Sequence, residues 1–127
     1  MLAVGGRFLG DAALPAVRWA TPFSGGLGGT RQEICGAFSG AAMVFGALYG
    51  RDGPEGDRQR VNSLTSRYRE RCLAEFGTTR CQELYDRFHA PGSAGTCAVL
   101  GESAARLLLE VLAEEREQPE VHVERRE

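Results

Sequence analysis

The chain of 127 residues predicts an all-α fold, a compact bundle of four to five helices with a glycine-rich loop before the central one. Three features carry this. Apolar residues recur at spacings of three and four in every long segment, and Gly/Pro-rich breaks separate the segments. No run of four or more residues alternates apolar and polar as a half-buried strand would. At 43% hydrophobic and 25% charged residues the composition is that of a globular chain, which excludes wholesale disorder. The length suits one domain.

Taken in order, residues 12–20 read as a short helix capped by Asp11, with Pro15 tolerated near its start. The stretch "SGGLGGTRQEICGAFSGAAMVFGALYG", residues 24–50, follows. In it Thr30-x-x-Glu33 fits a capping box, so a central helix is expected from Arg31 to about Tyr49, stopped by Gly50. Ile34, Phe38, Ala41, Phe45 and Leu48 mark its apolar face, and Gly36 and Gly40, then Ala42 and Gly46, sit four apart on further strips. Interior glycines cost about 1 kcal/mol each relative to alanine, which close approach of another backbone would offset. Val61, Leu64, Tyr68, Cys72 and Phe76 then mark a long helix ended by Gly77. Thr79 offers an N-cap, with Gln82 closing its box, for a short helix to about Phe88. Thr96 caps a last helix carrying Val99, Leu100, Ala104, Leu107, Leu108, Val111 and Leu112. The expected division is a domain over residues 1–113 and a charged, flexible tail over 114–127.

Net charge is −2, and no basic stripe interleaved with aromatics appears, which argues against nucleic acid as the main partner. The N-terminus lacks the continuous apolar run of a signal peptide, and no segment is long enough to insert across a membrane. A cytoplasmic location is the resulting expectation. There, cysteines at 35, 72, 81 and 97 read as thiols, metal ligands or redox centres before structural disulfides. They form no CxxC pair, so zinc ribbons and ferredoxin-like sites find no support. His89, ending a helical pattern, and His122, in the charged tail, add nothing to a site on spacing alone.

"GGLGGT" before a helix start invites an anion or nucleotide at residues 25–31, but the lysine and the preceding strand of known phosphate loops are missing. Cys81 and Cys97 fall at expected helix starts, where free amides favour a thiolate. Cys35 falls one turn inside its expected helix. Cys81, with Arg80 beside it, is expected to be the most nucleophilic thiol. Cys72, on its helix's apolar stripe, reads as a buried structural residue.

"CGAFSG", Cys35 to Gly40, resembles the CGAxxG signature of the putative redox-active proteins called the C_GCAxxG_C_C family. "FSGGLGG" resembles that family's glycine-rich run, "FGTTRCQEL" its third-cysteine segment and "CAVLGESAARLLLEVL" its last-cysteine helix, over residues 16–112. The resemblance implies a small helical protein with Cys35, Cys81 and Cys97 in the second, third and fourth cysteine places. The helix bearing the first cysteine is expected to be lacking. On this basis Cys35, Cys81 and Cys97 are the candidate redox thiols, for disulfide exchange with an unidentified redox partner. Alternatively they are metal ligands for an iron–sulfur cluster or another metal. A second function class is a non-catalytic helical dimerisation module with structural cysteines. In either class, small-residue strips of the central helix without a cover would favour a homodimer.

Overall fold

The computed structural model describes residues 2–93 and 95–117; the rest of the expected tail lies outside the described residues. The architecture is all-α. The helices are α1 (Leu2–Leu9), α2 (Ala13–Ala20), α3 (Gly36–Tyr49), α4 (Gln59–Phe76), α5 (Cys81–Phe88) and α6 (Cys97–Glu117). Short 3-10 turns cover Gly10–Ala12 and Thr21–Phe23. The five expected helices are all present, and α1 precedes them. Asp11 lies in the first 3-10 turn rather than at the cap of α2, whose N-cap is Ala12.

The core is the junction of α3, α4 and α6. Phe38, Val44 and Phe45 of α3 meet Leu64, Tyr68, Cys72 and Phe76 of α4 and Leu100, Leu107, Leu108, Val111 and Leu112 of α6. Each fully buried side chain of this size contributes about 1.5–3 kcal/mol of burial free energy. Tyr68 is the centre: its ring packs edge-on to Phe38 and Phe45, with centroids 6.2 and 5.7 Å away. Its hydroxyl donates to the Ala104 carbonyl at 2.9 Å, which satisfies a polar group inside an apolar seam. Gly77 ends α4 in the left-handed conformation, φ +75°, and its amide donates to the Leu73 carbonyl at 2.8 Å. The last helix continues past residue 113 to Glu117. Glu115 is buried on it, with Arg60 Nε 2.8 Å and Arg67 3.5 Å from its carboxylate.

The start of α3 differs from expectation. The helix begins at Gly36, and the Thr30–Glu33 capping box does not form. Arg31 has φ +60°, which no helix admits. The Thr30 hydroxyl turns back instead toward the carbonyls of Gly26 and Leu27, at 3.0 and 2.8 Å. Residues 31–35 lie beside 79–82 and make an isolated antiparallel bridge, Ile34 to Arg80. Cys35 N–H donates to the Thr79 carbonyl at 2.8 Å, Cys81 N–H to that of Glu33 at 2.9 Å and Gln82 N–H to that of Arg31 at 3.0 Å. A tertiary pairing has overridden a local capping signal.

Of the two small-residue strips of α3, the one carrying Gly36 and Gly40 is covered within the chain, while Gly46 on the other is exposed with open space where a Cβ would go. A Cβ on Gly36 would lie 2.9 Å from the Phe23 carbonyl oxygen and 3.2 Å from Ser24 Cα. Gly40 and Ala41 are buried, and Val4 of α1 joins the same core. At Gly36 this is the close approach that the interior glycines were expected to permit.

Candidate functional site

The bridge between Ile34 and Arg80 is what builds the site. These two residues stand opposite one another, so the next residue on each segment, Cys35 and Cys81, points to the other face, and the two sit diagonally across the pairing. Each also begins a helix: Cys35 is the N-cap of α3 and Cys81 the first residue of α5. Both placements correct the expectation, which put Cys35 a turn inside its helix and Cys81 second after a Thr79 cap. Arg80 is the N-cap of α5, and its amide donates to the Thr78 hydroxyl at 3.1 Å. Cys97 opens α6 as expected, with Thr96 Oγ1 accepting from the Ala98 amide at 3.2 Å.

Cys35, Cys81 and Cys97 line one cavity of about 670 Å3, together with Arg31, Tyr85 and His89. Cys72 does not. It is fully buried and borders a separate cavity with Phe38 and Tyr68.

The glycine run explains the burial of Cys81. Gly25, Gly26, Gly28 and Gly29 all have positive φ, and the loop they form folds over the starts of α3 and α5. A Cβ on Gly26 would lie 2.5 Å from Cys81 Cβ and 2.9 Å from Arg31 Cα, so only glycine lets the loop press this close. The loop's amides are engaged locally. Those of Gly28, Gly29, Thr30, Arg31 and Glu33 donate to the carbonyls of Pro22, Ser24, Leu27, Gly25 and Gly26, at 2.7 to 3.2 Å. These five committed amides are not available to cradle a phosphate.

The surroundings of the buried thiols differ from what the sequence suggested. Burial pushes the Cys81 thiol up, negative charge on Cys97 pushes it further, and the Arg31 guanidinium opposes both. The expectation of a lowered Cys81 pKa is therefore reversed, because the glycine loop removes solvent that the helix start alone would leave. The opposing cation is Arg31, not the expected Arg80. Cys35 is raised chiefly by burial. The amides of Ala37 and Phe38 pull it down without closing a capping hydrogen bond, and charges on Cys81 and Cys97 push it up. Cys72 is raised to about 11, mainly by burial. Cys97 alone of the four is exposed, and its Sγ lies 3.4 Å from His89 Nε2.

His89, set aside on spacing, thus belongs to the site. Its ring stacks on Tyr85, with centroids 4.1 Å apart and planes 23° from parallel. The Arg31 guanidinium also lies over the Tyr85 ring, 3.6 Å from its centroid. A signal for His89 was present: Cys81, Tyr85 and His89 are spaced by four, running along one side of α5 to its C-cap, His89. Arg31 carried no such signal, since the loop conformation alone delivers it. Among the described residues no group of three or more His, Cys, Asp or Glu side chains converges closely enough to hold a metal ion. The three cysteines and His89 line one cavity without forming such a group. No described helix is long and apolar enough to cross a membrane.

A family model described as "Putative redox-active protein (C_GCAxxG_C_C)" matches residues 2–111. The match takes in α1 and α2, which occupy the stretch before the glycine run and carry no cysteine. Neither a curated protein nor a solved structure matches the chain.

Proposed function

This chain belongs to the C_GCAxxG_C_C family, and from that premise we propose that it carries out thiol–disulfide exchange with Cys97 as the attacking thiol and Cys81 as the resolving one. The observation that carries the reading is Cys97 itself: exposed, at a helix start, and 3.4 Å from an imidazole, on the wall of a cavity that two further thiols share. An attacking thiol needs access and a group to take its proton, and Cys97 has both. A non-catalytic module with core cysteines would bury all four, and Cys97 is not buried.

In the proposed step, His89 Nε2 accepts the Cys97 proton and the thiolate attacks one sulfur of a substrate disulfide. A Cys97–substrate bond forms as the substrate S–S bond breaks, and the first substrate thiolate leaves with a proton. Cys81 then gives up its proton, attacks Cys97 Sγ as a thiolate whose charge Arg31 favours, and expels the second substrate thiolate, which takes up that proton. The protein ends with a Cys81–Cys97 disulfide and the substrate as two thiols, so the electron pair has passed from protein to substrate. Cys35, deeper and raised by burial, stands behind this pair.

Mixing reduced protein with a small disulfide and mapping the products by mass spectrometry tests the assignment. Cys81→Ser should accumulate a mixed disulfide on Cys97, and Cys97→Ser should form none. A mixed disulfide on Cys81 or Cys35 instead, or equal reactivity after Cys97→Ser, would overturn it.

A further inference from the structure

Resting on that exchange reading, we infer that the substrate is a small anionic disulfide whose carboxylate is received by Arg31 at the mouth of the cysteine cavity. At about 670 Å3 the cavity is the size of a small-molecule site. Its lining carries one permanent charge, the Arg31 guanidinium, with His89 beside it, and no carboxylate. The nearby acids are placed elsewhere: Asp86 accepts from Gln82 Nε2 at 2.8 Å, and Glu33 and Glu83 are exposed outside the lining.

Arg31 is held for this. Its amide donates to the Gly25 carbonyl at 2.8 Å and its own carbonyl accepts from the Gln82 amide at 3.0 Å, which fixes the backbone at φ +60°. That conformation suits glycine better than arginine, so the side chain is kept against a local preference. Its guanidinium lies over Tyr85, 3.6 Å from the ring centroid. Stacking uses the face of the fork and leaves the N–H edge for a carboxylate. Among the described residues no carboxylate forms an ion pair with it. The same cation sits near Cys81, so it would hold the substrate's acid close to the resolving thiol.

The test is the rate at which reduced protein reacts with three disulfides of similar size: dithiodiglycolate (dianionic), hydroxyethyl disulfide (neutral) and cystamine (dicationic). Each rate is divided by that of a free cysteine peptide at the same pH, because a dianion repels any thiolate. The normalised rate should fall from dianion to dication by about tenfold or more at low salt, and the preference should shrink as salt rises. Arg31→Gly, which fits the backbone conformation, should flatten the series, bringing the ratio of the normalised dianion rate to the neutral rate close to one. Arg31→Lys should keep most of the preference. Reaction with all three and no charge preference, or a preference surviving in Arg31→Gly, would overturn this inference alone. Failure to react with any would overturn the exchange reading and this inference together.

Discussion

Replacing Gly26 by alanine separates two costs that a glycine-rich loop usually mixes. At φ +67° an L-residue is disfavoured by about 1–2 kcal/mol whatever its surroundings. Gly28, two residues on at φ +62°, shares that cost but has open space where its Cβ would go. At Gly26 the new methyl would stand 2.5 Å from Cys81 Cβ and 2.9 Å from Arg31 Cα, distances that force the loop or α5 to move. Overpacking of this kind adds about 1–3 kcal/mol. Gly28→Ala should therefore lose about 1–2 kcal/mol, and Gly26→Ala about 2–5 kcal/mol. For a chain of this size 1 kcal/mol moves Tm by roughly 3–6 °C, so thermal and urea unfolding distinguish the two readily. A second readout follows from the same geometry. If the loop lifts to make room, Cys81 should alkylate faster in native Gly26→Ala than in wild type, while Gly28→Ala leaves it slow. Equal stability losses in the two variants, or an unchanged Cys81 rate in Gly26→Ala, would refute the claim that the loop's close approach is what buries this thiol.

Cys72→Ala should cost about 1 kcal/mol at neutral pH and leave alkylation of Cys97 and Cys81 unchanged, since Cys72 borders a different cavity. The same variant carries a pH signature. Cys72 has its pKa raised from 9.0 to about 11 in the fold, so its stabilisation is complete below pH 9 and lost as pH rises toward 11. Across that window wild type should lose about 2 kcal/mol more than Cys72→Ala in urea titrations. Glu115→Ala should destabilise by about 2–3 kcal/mol in the same assay, because it removes the buried carboxylate that pairs with Arg60 and Arg67; the partial exposure of both arginines keeps the loss below that of a fully buried pair. His89→Ala should slow iodoacetamide capture of Cys97 at neutral pH by roughly threefold to tenfold without changing Tm, as loss of a proton acceptor near an exposed thiol would. An unchanged rate would remove His89 from the proposed step.

Residue spacing alone determined the helical class, the apolar faces of α3, α4 and α6, the Gly77 stop, and the buried position of Cys72. These rest on interactions within a few residues along the chain or on a periodicity that one face must satisfy, and both are written locally. Resemblance in three separated motifs identified Cys35, Cys81 and Cys97 as the residues to watch, and they line one cavity. What the chain order could not reveal was how they are placed there. Thr30 and Glu33 spell a capping box, yet the helix starts at Gly36, because pairing with residues 79–82 satisfies more amides than the box would. That pairing joins two segments far apart in the chain through a single bridge, Ile34 to Arg80. One bridge leaves no alternation to read. It sets Cys35 diagonal to Cys81, and the loop it anchors covers Cys81 and swings Arg31 onto Tyr85. Which thiols are exposed was therefore a tertiary matter: helix starts are local, but the solvent around them is removed or left by segments distant in sequence. Cys81 lost its solvent to the glycine loop, and Cys97 kept its own.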